Sequence, residues 1–155
     1  MIRRTFLLVV FLTAAAPALV RAQPASADDK FFNANGVKIR YVEAGRGDAV
    51  VLIHGFASSL DGTWRQNGVF DALAKDFHVV ALDCRGHGKS DKPHDAASYG
   101  MQMVEDVSRL LDRLNLRKAH IVGYSMGGAI TGKFIAMHPD RVLTAVFGGS
   151  SPRLA

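Results

Sequence analysis

The sequence predicts a doubly wound α/β fold, in which a mostly parallel sheet of about six strands is flanked by helices. Four short β-branched runs are apolar on both faces, as strands inside a parallel sheet must be. They cover residues 49–54, 78–83, 119–124 and 142–149. Helical patterns separate the later runs, and a turn dipeptide joins two extended runs before the first of them. We therefore expect functional groups on the loops at the carboxyl ends of the parallel strands.

The elements can be justified in chain order. Asn35 and Gly36 form a turn dipeptide between two extended runs, which predicts a hairpin ending near Gly45. A helix is predicted from residue 98 onward, with Ser98 as its cap. Its apolar face has helical spacing and comprises Met103, Val107, Leu110, Leu111 and Leu114. A second helix is predicted after residue 125, with Ile130, Phe134 and Met137 on one face and Pro139 at its end.

The amino terminus resembles a secretory signal. Arg3 and Arg4 precede an apolar stretch, and Val20 and Ala22 fit the small-residue cleavage positions. The alternative is a membrane anchor, but the stretch of about 15 residues is shorter than the roughly 20 that a spanning helix needs. We expect residues 1–22 to be a cleaved signal peptide and the protein to be exported, without a stable membrane anchor. Residues 23–30 are small and polar, as expected of a tether before a domain at 31–155.

Composition excludes several classes of protein. The 155 residues carry a net charge of +5, but residues 1–22 contain three arginines and no acidic residue, so the mature chain is nearly neutral. Without a clustered basic surface, no nucleic-acid partner is predicted. Cys84 is the only cysteine, which excludes an internal disulfide, and we expect it to be buried. The six histidines lack paired ligand spacing and no phosphate-binding loop follows the first strand, so neither metal nor cofactor is predicted.

One serine lies where an apolar strand meets a helical pattern, in the stretch HIVGYSMGGAI. Gly123 and Gly127 flank Ser125 at two residues on either side. An abrupt strand-to-helix turn strains the corner residue and brings the flanking positions against backbone, which glycine tolerates. The helix starting at Met126 would direct unpaired N–H groups toward negative charge near the serine. The simpler alternative is a helix-capping serine, but a cap needs no such glycine pair.

Three loops together resemble the amino-terminal part of an α/β-hydrolase. GYSMG is similar to the family's nucleophile elbow, HGF to its oxyanion loop, and DCRGHGKSD to the segment after its fourth strand. The resemblance covers residues 31–155 and implies a hydrolase acting on a small ester- or amide-like substrate. It implies these site residues: Ser125 as nucleophile, the backbone N–H groups of Phe56 and Met126 as oxyanion donors, and Gly123, Gly127, His54 and Gly55 as support for the elbow and loop.

Other roles remain open for several residues of these loops. His54 could be a base by residue type, but its place in the family's loop favours a supporting role. Asp83 and Arg85 could be a catalytic carboxylate and an anion clamp, whereas the resemblance assigns their segment to shaping the turn. The side chains of Phe56 and Tyr124 fit either an acyl pocket or plain packing.

The groups that would activate the serine are not evident. In the resembled family an acid and then a histidine follow the serine, and no acidic residue follows the sixth predicted strand. Five histidines are candidates for an internal base: His54, His78, His87, His120 and His138. The two on the serine's own strand and helix lie roughly 16 and 20 Å away, and His78 lies at the opposite sheet edge. His87 follows a strand about 10 Å away, so neither it nor His54 is a good base.

These expectations lead to one interpretation and one alternative. We interpret the chain as the nucleophile half of a serine hydrolase, truncated after about the sixth strand and inactive by itself. By the same resemblance, a serine at the elbow argues against the family's dehalogenases and epoxide hydrolases, which carry aspartate there. The alternative is a non-catalytic binding protein on the same scaffold.

Overall fold

The computed structural model describes residues 27–150, and these form one six-stranded sheet with helices on both faces. The predicted signal peptide and the first part of the predicted tether lie outside the described residues. The strands are β1 (Lys30–Ala34), β2 (Val37–Ala44), β3 (Ala49–Ile53), β4 (His78–Leu82), β5 (Ala119–Tyr124) and β6 (Val142–Gly148). Their order across the sheet is β1-β2-β4-β3-β5-β6.

The sheet is antiparallel only at its amino-terminal side. β1 pairs antiparallel with β2, and β2 antiparallel with β4. β4, β3, β5 and β6 are mutually parallel, so their carboxyl ends meet at one edge. At the hairpin, Asn35 and Gly36 have φ angles of 56° and 86°, and the Gly36 N–H donates to the Asn33 side chain. The predicted fold class and hairpin are therefore confirmed.

Three helices connect the strands: α1 (Val69–Leu73), α2 (Met101–Arg113) and α3 (Met126–Met137). A turn of π-helix (Asp61–Arg65) and two 3₁₀ turns (Ala96–Ser98 and Pro139–Arg141) complete the connections. The prediction that Ser98 caps α2 is wrong. Ser98 ends a 3₁₀ turn, where its N–H donates to the Asp95 side chain, and Gly100, with φ of 60°, precedes α2 instead. The chain therefore bends twice before α2 begins.

Each face of the sheet is covered by its own apolar cluster. On one face α2 and α3 pack over the sheet, with Leu110, Leu111, Ile130 and Phe134 buried. Met137, predicted on the same helical face, is 44% exposed because it lies at the last residue of α3. The other face is covered by the π-helical turn and α1, and its cluster comprises Val42, Val50, Leu52, Leu60, Trp64, Phe70, Val79 and Ala81. Covering both faces explains why all five residues of β3 are buried.

The strand β6 is less protected than the others. It forms one edge of the sheet within residues 27–150, and its side chains Leu143 and Val146 are 46% and 55% exposed. None of the helices in the described part of the chain combines the length and apolarity of a membrane span.

Candidate active site

Ser125 lies at the corner between β5 and α3, as predicted. Its backbone angles are φ 52° and ψ −111°, a combination that costs a non-glycine residue on the order of 1–3 kcal/mol. Hydrogen bonds hold the corner in place. The Ser125 N–H donates to the Gly148 carbonyl at 2.7 Å, and its own carbonyl accepts from Gly128 and Ala129 at 2.9 and 3.2 Å. The backbone of Ser125 is therefore held at the carboxyl end of the sheet.

The flanking glycines allow the close approach that this corner requires. A methyl group at Gly123 would overlap the carbonyl of Gly127, and one at Gly127 would overlap the carbonyls of Ile53 and His54. Ile53 ends β3, the neighbouring strand, so Gly127 brings the first turn of α3 directly against the loop after β3. Both glycines therefore lie where an added side chain would overlap backbone atoms.

The loop after β3 passes beside the serine. A side chain at Gly55 would lie 3.4 Å from Ser125 Cβ and 3.2 Å from the Tyr124 ring. Phe56 follows, with its side chain 76% exposed. Within residues 27–150, the backbone N–H groups of Phe56 and Met126 donate to no protein acceptor. Two unpaired donors, one in the loop beside Ser125 and one on the residue after it, could receive negative charge that develops on a substrate oxygen.

His54 is fully buried and both of its ring nitrogens are occupied. Nε2 accepts the Cys84 N–H at 3.0 Å, so the ring proton lies on Nδ1, which donates to the Gly55 carbonyl at 2.7 Å. Burial lowers the pKa of His54, which favours this neutral form. The histidine thus ties the loop after β3 to the loop after β4 and has no nitrogen available to Ser125.

The loop after β4 is held by two buried charged residues. The Asp83 carboxylate accepts the N–H groups of Leu60 and Lys89, at 2.7 and 2.9 Å. Arg85 donates twice to Asp106 of α2, at 2.7 and 2.6 Å, and both side chains are 2% exposed. Neither Asp83 nor Arg85 lines the pocket beside the serine. The contacts of Asp83 and Arg85 hold the shape of the loop after β4.

Arg40 also supports this edge of the sheet, although no motif in the sequence selects it. Its side chain is 1% exposed on β2 and pairs with three carboxylates, those of Asp29, Asp61 and Asp83. Burial opposes the charge of Arg40, but the hydrogen bonds that it donates to Asp61, Asp29 and Asp83 raise its pKa above the usual value. The guanidinium therefore joins the start of the described chain, the π-helical turn and the β4 loop.

A pocket of about 490 Å³ opens beside Ser125. Its lining residues come from the β3 loop, the π-helical turn and the elbow: Gly55, Phe56, Ser58, Gly62, Thr63, Trp64, Asn67, Tyr124 and Ser125. Phe56 and Tyr124 thus both line this cavity. Trp64, which the sequence did not single out, forms part of the wall and is 8% exposed.

None of the other histidines in the described part of the chain contacts the Ser125 hydroxyl. His78 pairs with Glu43, His120 with Thr144, and His138 with Glu105. His87 packs its ring against Phe56 with centroids 5.6 Å apart. His94, not considered from the sequence, is exposed. Within residues 27–150 the Ser125 hydroxyl has no hydrogen-bond partner, and no group of three or more His, Cys, Asp or Glu side chains is arranged to hold a metal ion.

The mostly parallel sheet, the serine corner and the adjoining loop together define an α/β-hydrolase fold. A sequence model of the family described as alpha/beta hydrolase fold matches residues 48–154, and the chain belongs to that family. It is also similar to a structure described as a Vigna radiata epoxide hydrolase mutant, with a TM-score of 0.73 and 31% identity, covering 78% of this chain and 38% of the other.

Several relatives of known name are similar in sequence. The chain is 39% identical to the dihydrolipoyllysine-residue acetyltransferase component of the acetoin cleaving system of Cupriavidus necator, over 79% of this chain and 32% of that protein. It is 36% identical to 2-hydroxy-6-oxo-6-(2'-aminophenyl)hexa-2,4-dienoic acid hydrolase of Metapseudomonas resinovorans, over 79% and 42%. It is 33% identical to bifunctional epoxide hydrolase 2 of Sus scrofa, over 77% and 22%. The chain thus spans less than half the length of these relatives.

Proposed function

We propose that the protein is a serine hydrolase that cleaves a small ester, thioester, amide or activated carbon–carbon substrate through an acyl-enzyme. The observation that carries the proposal is the strained Ser125 corner beside a pocket. The unpaired N–H groups of Phe56, in the adjoining loop, and of Met126, the next residue, support it. The hydrolase names among the relatives support the reaction type, and one of these names specifies a small organic acid.

The reaction follows from these groups. Ser125 Oγ bonds to the carbonyl carbon while a base takes the hydroxyl proton, and the N–H groups of Phe56 and Met126 bind the oxyanion. The bond to the leaving group then breaks, and the leaving group takes up the proton. Water attacks the resulting ester in the same way, which releases the acid and restores the serine.

A serine favours acyl transfer over epoxide opening, even though epoxide hydrolases are among the similar structures. A carboxylate that opens an epoxide forms an ester, and water can hydrolyse that ester at its carbonyl carbon. A serine that opened an epoxide would form an ether, which has no carbonyl carbon for water to attack. Ser125 would therefore be consumed after one reaction.

The base and its orienting acid belong to sequence beyond residue 155 in this proposal. Among the described residues His54 has both nitrogens occupied, and no imidazole contacts the Ser125 hydroxyl. The relatives are longer than this chain, which leaves room for such groups. We further propose that the protein is exported after cleavage behind Ala22, which amino-terminal sequencing of the secreted protein would test.

The deciding experiment compares the 155-residue chain with a longer protein that includes the downstream sequence. In the longer protein, Ser125→Ala should abolish p-nitrophenyl acetate turnover and labelling by a fluorophosphonate probe. Ser98→Ala, on the remote 3₁₀ turn, is the matched control and should retain both. In the short chain, loss of the base should remove about a million-fold of turnover and leave roughly 10³ to 10⁴-fold over water from the oxyanion donors.

Two outcomes would contradict the proposal. Rapid Ser125-dependent turnover by the short chain, lost on changing His54 or His87, would identify an internal base. A longer protein without Ser125-dependent turnover or labelling would favour the non-catalytic binding protein instead. That alternative rests on the unpartnered Ser125 hydroxyl within residues 27–150.

A further inference from the structure

The loop after β3 contains a second residue with an unusual backbone conformation. Four residues other than glycine have a positive φ within residues 27–150: Asn35, Ala57, Asn115 and Ser125. Asparagine tolerates this conformation, and its two examples lie in the β1–β2 turn and after the end of α2. Alanine and serine adopt it far less readily. The two unexpected cases therefore belong to the two loops that meet beside the pocket.

Ala57 lies in a turn whose two ends are fixed. Phe56 and Ala57 form the turn, and Ala57 has a φ of 54°. Before the turn, the Gly55 carbonyl accepts a hydrogen bond from the buried His54 ring at 2.7 Å. After it, the Leu60 N–H donates to a carboxylate of the β4 loop, also at 2.7 Å. Turns with a positive φ at their second central residue normally have glycine or asparagine there.

The turn itself is not held by hydrogen bonds of its own backbone groups. Among the described residues, the N–H and C=O groups of Phe56 and Ala57 have no hydrogen-bond partner. The direction of the Phe56 N–H, the proposed oxyanion donor, therefore depends on the dihedral angles of this turn. At positive φ a residue with a Cβ atom is confined to a small region, whereas glycine can adopt a much wider range.

We propose that Ala57 is a positioning residue: its Cβ confines the β3 loop to one conformation and so keeps the Phe56 N–H in place for the transition state. The inference rests on the proposed hydrolase function and adds a residue to its oxyanion site. Ala57 is exposed and acts through Phe56 in this proposal. Its strained backbone lowers the stability of the fold, and the gain is a donor with a fixed direction.

The test is Ala57→Gly in the longer protein, because glycine adopts the same φ without strain and this variant should fold. We expect a higher urea midpoint, since alanine at a positive φ is destabilising relative to glycine. We also expect kcat for p-nitrophenyl acetate to fall about 10-fold, a part of the roughly 100- to 1,000-fold loss on removing an oxyanion donor. KM should change by less than about twofold, because such a donor acts mainly in the transition state.

Two further variants separate positioning from the relief of strain. Asn115→Gly also replaces a residue of positive φ, 55°, but lies after α2 and should leave kcat unchanged. Ala57→Asn keeps a Cβ atom, tolerates the positive φ and has space at this exposed position. It should therefore keep kcat within about twofold of the unmodified protein, where Ala57→Gly does not.

A second measurement does not depend on hydrolysis. In the unmodified longer protein, the ¹⁵N relaxation order parameter of the Phe56 amide should be that of a rigid backbone, roughly 0.85. In Ala57→Gly it should fall toward about 0.6, the upper limit for a flexible segment. Asn115→Gly should leave the Phe56 order parameter unchanged.

The outcomes separate the inference from the function on which it rests. A lower urea midpoint for Ala57→Gly, an unchanged kcat, or an unchanged Phe56 order parameter would each overturn the role of Ala57. Absence of Ser125-dependent hydrolysis would overturn the proposed function, and the order parameter would then decide whether Ala57 still restricts the loop.

Discussion

The Ser125 backbone has angles that a side-chain-bearing residue rarely adopts, and it keeps them because its neighbours leave no alternative. Its N–H is bonded to Gly148 on β6, and α3 begins at the next residue. Strain of this kind persists only where the surrounding structure holds it, and it concentrates at functional sites. The flanking glycines are therefore as important for the position of the hydroxyl as the serine itself.

Gly127→Ala should be strongly destabilising, although alanine normally stabilises a helix interior relative to glycine. The added methyl group would overlap the carbonyls of Ile53 and His54, which belong to β3 and its loop. We expect a loss of about 3 kcal/mol or more in the free energy of unfolding, measured by urea denaturation. Gly36→Ala is the matched control. It has open space around it and a φ of 86°, so it should cost only about 1–2 kcal/mol. Equal losses would contradict the steric account.

His54 should make the protein less stable below about pH 6.5. Burial lowers the pKa of its imidazole in the folded state, so below that pH the unfolded chain binds more protons than the folded chain. Stability is therefore complete above the unfolded pKa and declines as the pH falls below it. The unfolding free energy measured from pH 7.5 to 5 should show this slope.

A histidine-to-glutamine change separates this effect from those of the acids. The pKa values of Asp29, Asp61 and Glu43 are lowered because their cationic partners outweigh burial, so their contributions decline only below about pH 4. In His54→Gln an amide can replace both hydrogen bonds without titrating. A slope between pH 7.5 and 5 that survives this change would contradict the assignment to His54.

At the scale of elements, the sequence predicted the strands well. β3, β4, β5 and β6 begin at the predicted residues and end within one residue of the predicted bounds, because continuous apolar runs are a strong local signal. The elbow and the β3 loop were located by local motifs of the same kind. The clash at Gly123 is with Gly127 and Thr131, so a short pattern records it, whereas the clash at Gly127 is with Ile53 and His54 at the neighbouring strand.

The features that the sequence did not predict depend on partners far away in the chain. In the sequence, Arg40 is an ordinary polar residue of a strand, and only folding brings Asp61 and Asp83 to it. Trp64 lines a pocket only because folding brings its turn beside the β3 loop and Ser125. No local pattern contains these contacts. Ser98 is an exception: it is a reasonable cap by residue type, but Asp95, three residues earlier, accepts its N–H and starts a separate turn.

Asp106→Asn should destabilise the attachment of α2 to the β4 loop. It removes the charge that pairs with Arg85, whose guanidinium is 2% exposed and also donates to the Ser98 carbonyl. Breaking one partner of a buried ion pair costs about 3–5 kcal/mol, because the other charge stays buried. Arg109 also pairs with Asp106, but its side chain is 28% exposed. Arg109→Gln should therefore lower the free energy of unfolding by about 1 kcal/mol or less. Similar losses in both variants, compared by urea unfolding, would argue against a buried Arg85–Asp106 pair.

For the molecule as a whole, β6 should govern self-association of the 155-residue chain. It is the edge strand of the described sheet, and its exposed Leu143 and Val146 offer apolar surface beside unpaired backbone groups. We expect concentration-dependent association in analytical ultracentrifugation, reduced by Val146→Lys. Ala136→Lys, at an exposed position on α3, adds the same charge and should have less effect. A monodisperse monomer at high concentration would contradict this prediction.

The buried thiol of Cys84 can report on the opening of the β4 loop. Its backbone N–H holds His54, and the thiol directly after β4 is 3% exposed. Burial, together with the charges of Asp106 and Asp83, raises the pKa of the thiol to about 12, so almost no reactive thiolate exists at neutral pH. An alkylating reagent can therefore modify this sole cysteine only during moments when the β4 loop swings open. The rate of alkylation therefore reports on the opening of the β4 loop. This is the loop that keeps the β3 loop beside Ser125.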